Sequence, residues 1–457
     1  MLGHYEIIDL RPGHQIEARR ERAGSRRPNR ISASSAMERR DSSESEMSLG
    51  NPGKRISTAV CWLLFMTGCS GMTLTSAWQE KSLAVDELFQ GIATEGTPGC
   101  AVGVIHQGEY IHKAGYGMAN LEHNIPISTS SVFRVGSVSK QFTAMAIAIL
   151  AERGELDLDA DVHTYLPELQ DYGHEVTVRQ MVHHVSGMAD YSGADDVFPT
   201  PRVVLARLAE AGLPVLERPE LRETTVLQYF GNGDHLTADE FYAGLAMMEL
   251  RTPPETEFYY SNTAYVLLWL LAERVSGRTL REFAADEIFG PLGMGHSLFV
   301  DDGTGIVPRR TDGYRKTEAG AWHIDNADLD LLGDGGVFTT IDDFILWDQN
   351  FYDNKLGSGG PALMDIVLST HPVAWRNGSQ YAFGLSIGEY QGHRRVSHGG
   401  SWVGYRANYE RFPDLQFSVV TLCNFASATP WGYSERVVDV YLPSLSSATL
   451  HGLDKGR

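Results

Sequence analysis

Apolar positions fall into two patterns along this chain. The run from Phe142 to Leu150, stopped at Gly154, has the length and terminator of a buried helix. Shorter runs, Gly99 to Ile105 and Phe417 to Cys423, read as strands. Residues 98–120 form a hairpin pattern, with a turn at Gln107-Gly108 and a second strand from Tyr110 to Tyr116. From about 131 to 335 the pattern is mainly helical, with helices expected over 141–152, 176–184, 202–211, 238–249, 261–275 and 279–287. Strand signals return near 381–390, 394–398, 403–412 and 416–424, and a last helix over about 431–442 ends at Tyr441-Leu442. A chain that begins and ends in strands is most simply folded with those strands in one sheet and the helical block beside it. A cleft is expected where the two meet. Residues 190–236, loop-rich with one helix, are either a lid over that cleft or surface padding.

Composition narrows the class. The chain has 457 residues, 42% hydrophobic and 21% charged, which suits one large globular domain or two ordinary ones. Residues 1–55 carry 11 Lys/Arg and 8 Asp/Glu, and the rest 27 and 50. That acidic body argues against nucleic acid as a partner, because phosphates would be repelled.

The first 50 residues are rich in Arg, Ser and Glu and read as disordered, with residues 1–55 a possible misassigned start. Lys54-Arg55, the apolar run Ile56 to Met66 and the small residues up to Ala77 make residues 56–77 a secretory signal. The apolar core is too short for a transmembrane helix. Two processing modes stay open. Met66-Thr67-Gly68-Cys69 resembles a lipobox, which would anchor the chain to a membrane through Cys69, and Thr75-Ser76-Ala77 offers a plain cleavage site. The expected location is the periplasm or a membrane-anchored lipoprotein of the cell envelope. Cys100 and Cys423 remain for the folded body; a disulfide is permitted in an exported protein, but two buried thiols are the expectation.

Candidate chemistry starts at Ser137-Val138-Ser139-Lys140, the single Ser-x-x-Lys of the chain. At (i, i+3) on a helix the amine can reach the hydroxyl, and a desolvated lysine is neutral enough to take its proton. Tyr260-Ser261-Asn262 opens a later helix; the tyrosine can relay a proton, and the asparagine either caps the helix or binds a carbonyl. His398-Gly399-Gly400 follows a strand-like run, and its glycines would let a substrate backbone lie against the strand. The backbone N–H groups of Ser137 and Ser401 would form an oxyanion hole. The adjacent His183-His184 faces two ways on its helix, which does not make a metal site.

The order of these three elements resembles the penicillin-binding protein and class C β-lactamase-like serine hydrolases. Further strings are similar to that family: Phe133-Arg134-Val135-Gly136-Ser137, Gly154 to Asp159, Tyr165-Leu166-Pro167, His184 to Met188, Pro291 to Met294 and Gly335 to Thr340. The resemblance spans residues 83–445, leaving 446–457 as a tail. It implies a mixed α/β fold of the β-lactamase/transpeptidase type, with an antiparallel sheet subdomain (about 83–130 and 336–445), an all-helical subdomain (about 131–335) and the site between them. It implies Ser137 as acylated nucleophile, Lys140 as its proton acceptor and Tyr260 as proton relay. It also implies Asn262 holding a substrate amide, with His398, Gly399 and Gly400 lining the cleft, and it calls for no metal or cofactor. Three departures stand out. His-Gly-Gly replaces the family's Lys-Thr-Gly-type strand, Pro253-Pro254-Glu255 replaces a Pro-Gly approach to the tyrosine, and the 190–236 stretch is long. Arg394, Arg395 or Arg406 could restore the missing charge, although an exposed arginine is the simpler reading of each. The expectation is an exported serine hydrolase acting on a peptide or other small-molecule substrate, with amide bonds next to D-amino acids or small carboxylic esters in view. The alternatives are a class C-like β-lactamase and a receptor of the same fold that is acylated, or binds ligand, without turnover.

Overall fold

The computed structural model describes residues 69–453 apart from 95, 193–243, 247, 304, 327–331, 374 and 376–377. The expected N-terminal extension, the signal core, the 202–211 helix and most of the 190–236 and 238–249 segments lie outside the described residues.

A seven-stranded antiparallel sheet forms the middle layer. Its strands are β1 (Cys100–His106), β2 (Glu109–Tyr116), β3 (Gln380–Tyr381), β4 (Ser386–Tyr390), β5 (His393–Trp402), β6 (Tyr405–Phe412) and β7 (Phe417–Cys423), in the order β3-β4-β5-β6-β7-β1-β2. The first and last strands in sequence are therefore neighbours. Side chains alternate across β7: Val419 faces helices α1 (Cys69–Gln90) and α6 (Pro430–Leu453), while Val420 and Leu422 face the opposite core. On that second face lie α2 (Lys140–Glu152), α3 (Val178–Val182), α4 (Asn262–Ser276) and α5 (Ile341–Asn350), whose Phe344 and Trp347 are fully buried. None of the described helices is long and apolar enough to cross a membrane.

Several expectations change. Cys100 and Cys423 are not two thiols but a disulfide, because β1 and β7 pair in a register that sets these residues directly opposite each other, both facing α1 and α6. The helix expected over 176–184 is only five residues long: a Thr177/Gln180 capping box starts it and His184, at φ +58°, turns the chain out of it. The 279–287 helix becomes wider at Ala285–Phe289. Gly384, at φ +70°, splits the expected 381–390 strand. The last helix continues through Pro443 to Leu453, so most of the expected tail is helical, and buried Leu442 and Leu445 keep it against the core.

Candidate active site

The position of Ser137 follows from two glycines. Strand residues Phe133–Arg134 pair with Val337–Thr339, and Val135 donates to the Val337 carbonyl at 3.0 Å. Gly136, at φ +52°, then turns the chain into a short 3₁₀ segment, Gly136–Ser139, that runs into α2. A Cβ on Gly136 would stand 2.8 Å from the Ser401 nitrogen, and one on Gly400 would stand 1.9 Å from the Val135 carbonyl oxygen. Glycine at both places lets β5 lie directly on the turn that carries Ser137. The fold itself thus requires glycine at 400, which makes room for the chain's own Val135 carbonyl. Gly399 is less confined, the nearest atom to an added Cβ being the Ala407 carbonyl oxygen at 3.8 Å.

Lys140, the first residue of α2, is fully buried. Its Nζ donates to Ser137 Oγ (3.3 Å), Asn262 Oδ1 (2.7 Å) and the Asp334 carbonyl (2.8 Å). The amine also lies 4.9 Å from the Tyr260 ring centroid and 5.4 Å from that of Tyr265. Burial pulls its pKa down from 10.5 to about 8, against the opposing charges of Asp334 and Asp190. A group poised there is a competent base near neutrality.

The Tyr260 hydroxyl is buried and makes no well-formed hydrogen bond. Burial pushes its pKa well above 10, and the Ser137 hydroxyl works in the other direction by favouring the phenolate. Helix α4 begins just beyond, and its cap is Ser261, whose Oγ accepts from the Ala264 N–H at 3.1 Å, not Asn262. That leaves the Asn262 amide for other work. Its Oδ1 accepts the hydrogen bond from Lys140 Nζ, while its Nδ2 donates to Asp190 Oδ2 (3.2 Å) and Ser192 Oγ (2.7 Å). Both amide hydrogens are thus committed within the protein, and a substrate carbonyl would have to displace one.

His398 carries no charge to replace the missing lysine. Its Nδ1–H donates to the Gly399 carbonyl (2.6 Å), so Nε2 is the acceptor for the Tyr381 hydroxyl at 2.8 Å. Burial and the nearby Lys140 hold its pKa down at about 3. The imidazole lies 6.3 Å from the Tyr260 ring, behind the cleft rather than on its wall. The three arginines considered for the role point elsewhere. Arg395 pairs with Glu435 and Glu410, Arg406 donates to the Val403 and Tyr405 carbonyls, and Arg394 is exposed. Among the described residues Arg134, three residues before Ser137, does line the cleft, with its guanidinium 5.2 Å from the Trp402 ring centroid.

The cleft, about 110 Å³, is lined by Ser137, Asn262, Ser401, Arg134, Asp334 and Trp402, among others. Ser137 and Ser401, the residues expected to supply the oxyanion donors, both line it. Sequence reasoning missed Asp190 and Asp334, which polarise Lys140, and Tyr381, which fixes His398. Only their proximity to the His184–Met188 and Gly335–Thr340 strings pointed to the two aspartates.

A Ser–Lys pair set beside an antiparallel sheet, facing the start of a Tyr-Ser-Asn helix, belongs to a chain of the β-lactamase/transpeptidase fold. The chain belongs to the beta-lactamase family, whose model matches residues 85–431. It is 27% identical over 333 residues to a D-aminopeptidase of Gluconobacter oxydans (72% of this chain, 56% of that protein), and 26% identical over 369 residues to a penicillin-binding protein of Bacillus subtilis (76% and 72%). It thus spans little more than half of the Gluconobacter protein. The octameric penicillin-binding protein homologue from Pyrococcus abyssi shares the fold, with a TM-score of 0.62 at 22% identity over 82% of this chain and 77% of that one.

Proposed function

We propose that this chain is an exported serine hydrolase that cleaves amide bonds next to D-amino acids through an acyl-enzyme on Ser137, with small carboxylic esters as secondary substrates. The observation that carries the reading is the fully buried Lys140 amine 3.3 Å from Ser137 Oγ. Neutral Lys140 takes the Ser137 proton as Oγ attacks the substrate carbonyl, and the Ser137 and Ser401 N–H groups hold the resulting oxyanion. The proton passes by way of Tyr260 to the leaving amine, and the C–N bond breaks to give the ester. Water then attacks that ester and loses its proton to the same Lys140–Tyr260 pair; the bond between the acyl carbon and Oγ breaks, the carboxylic acid leaves with the water's oxygen, and the proton returns to Ser137 Oγ. Asn262, with its amide committed to Asp190 and Ser192, aims Lys140 more than it grips substrate.

The D-aminopeptidase name of the Gluconobacter relative supports the substrate class. The neutral, Tyr381-bound His398 weighs against a β-lactamase, since it offers no charge to a drug carboxylate. The Cys100–Cys423 disulfide supports export, because such bonds persist in oxidising compartments. Helix α1 begins at Cys69, so lipidation there would keep the whole helix, whereas cleavage after Ala77 would remove its first residues.

The test is intact mass and product release for wild type and Ser137→Ala, each incubated with D-alanine p-nitroanilide, p-nitrophenyl acetate and benzylpenicillin. Turnover of the anilide and the ester by wild type alone supports the proposal. Equal turnover by the alanine variant refutes it, and an adduct that persists for hours without product would make the chain a receptor.

A further inference from the structure

We infer that His184 is the positioning residue for Tyr260. The inference rests on the proton-relay role proposed for that tyrosine. His184 is fully buried and sits at φ +58°, a left-handed conformation in which histidine is among the tolerated non-glycine residues. This turn aims its backbone and its ring at one segment. Its carbonyl accepts the Tyr259 N–H at 2.9 Å, and its Nδ1 accepts the Ser261 N–H at 3.2 Å. The two residues that bracket Tyr260 are therefore held by one side chain and its own carbonyl.

The ring supplies a third point of contact. Its centroid lies 4.4 Å from that of Tyr260, with an interplanar angle of 37°. Rings of Tyr265 at 4.9 Å and Tyr381 at 4.7 Å hold the imidazole from other sides. Since Nδ1 is an acceptor, the ring hydrogen is on Nε2, which is buried and without a hydrogen-bond partner. A donor left unsatisfied in that way is costly. His184 touches no reacting atom. It fixes where the Tyr260 hydroxyl stands relative to Ser137, and a proton relay depends steeply on that position.

The experiment is a double-mutant cycle in the full-length protein with D-alanine p-nitroanilide, using His184→Ala, Tyr260→Phe and the pair. His184→Ala is expected to lower kcat by about 30-fold with KM within about threefold, because the loss falls on the chemical step. In the Tyr260→Phe background the same change is expected to alter kcat by less than about twofold, since the group being positioned is gone. His184→Asn, which tolerates the left-handed turn and offers an oxygen to Ser261, is expected to restore part of the rate; if the alanine variant fails to fold, it carries the same cycle. Equal loss in both backgrounds would overturn the assignment of His184 while leaving Tyr260's role intact. A fully active Tyr260→Phe would instead remove the tyrosine's role, and this inference with it.

Discussion

Raising the pH from 6 to 9 in the acylation assay tests the central claim about Lys140. With the amine near pKa 8, about 1% is neutral at pH 6, about 9% at pH 7 and about 90% at pH 9. Only the neutral form can accept the Ser137 proton, so the acylation rate should rise about 90-fold across this range, tenfold per unit at first and then levelling. A lysine left at 10.5 would be neutral in only about 0.03% of molecules at pH 7, so burial raises the working population roughly 300-fold. The readout is the pre-steady-state burst with p-nitrophenyl acetate, whose leaving group departs without protonation and so isolates the lysine's step. Burial keeps His398 and His184 neutral, and Tyr260 protonated, throughout. Glu410, pushed up to about 8 by burial, titrates in the same window, but its partner is Arg395. Glu410→Gln should therefore leave the profile unchanged. A rate that is flat from pH 6 to 9 would refute Lys140 as the base, and one still rising tenfold per unit at pH 9 would refute its depressed pKa.

The same depressed pKa has a stability signature. The unfolded chain holds the Lys140 proton up to about pH 10.5 and the folded one only to about 8, so folding stability rises with pH between them. By chemical denaturation, the stability of wild type relative to Lys140→Met should improve by about 3 kcal/mol from pH 7 to 10.5; a constant difference would mean the amine is not desolvated. Gly400→Ala, with its Cβ 1.9 Å from the Val135 oxygen, should lose more than about tenfold in activity, whereas Gly399→Ala, whose Cβ would make only ordinary contacts at 3.8 Å, should stay within about threefold. Equal effects of the two would show that β5 does not lie against the Ser137 turn. Replacing Cys100 and Cys423 by serine should cost roughly 5 kcal/mol, from the freed loop of 323 residues, read as a drop in Tm that reductant reproduces in wild type.

The elements legible in the sequence were those whose apolar pattern is local. The Phe142–Leu150 run, the Gln107-Gly108 hairpin and the late strands emerged close to where they were expected. What escaped depends on register and on single backbone angles. Nothing local says that Cys100 and Cys423 stand opposite, because that follows from how two distant strands align. Ser261 and Asn262 are both good helix caps, and only the approach of Lys140 gives the second another task. Gly399 and Gly400 look alike until the Val135 carbonyl fills the space beside one of them. His184 was read as half of a helical pair, and its left-handed φ, which no periodicity reports, delivers it to Tyr260.

The pairing of β1 with β7 also constrains the order in which this molecule can be made. The first strand of the sheet has its neighbour more than 300 residues downstream, so the central seam cannot close until almost the whole chain has left the ribosome. Until then β1 has only β2 as a partner, and an isolated hairpin is marginal in water. A nascent chain that stays open this long is easily threaded through a pore and just as easily caught by another chain's exposed strand. Its yield in the cell should therefore depend more on what shields it before release than on how stable it is afterwards.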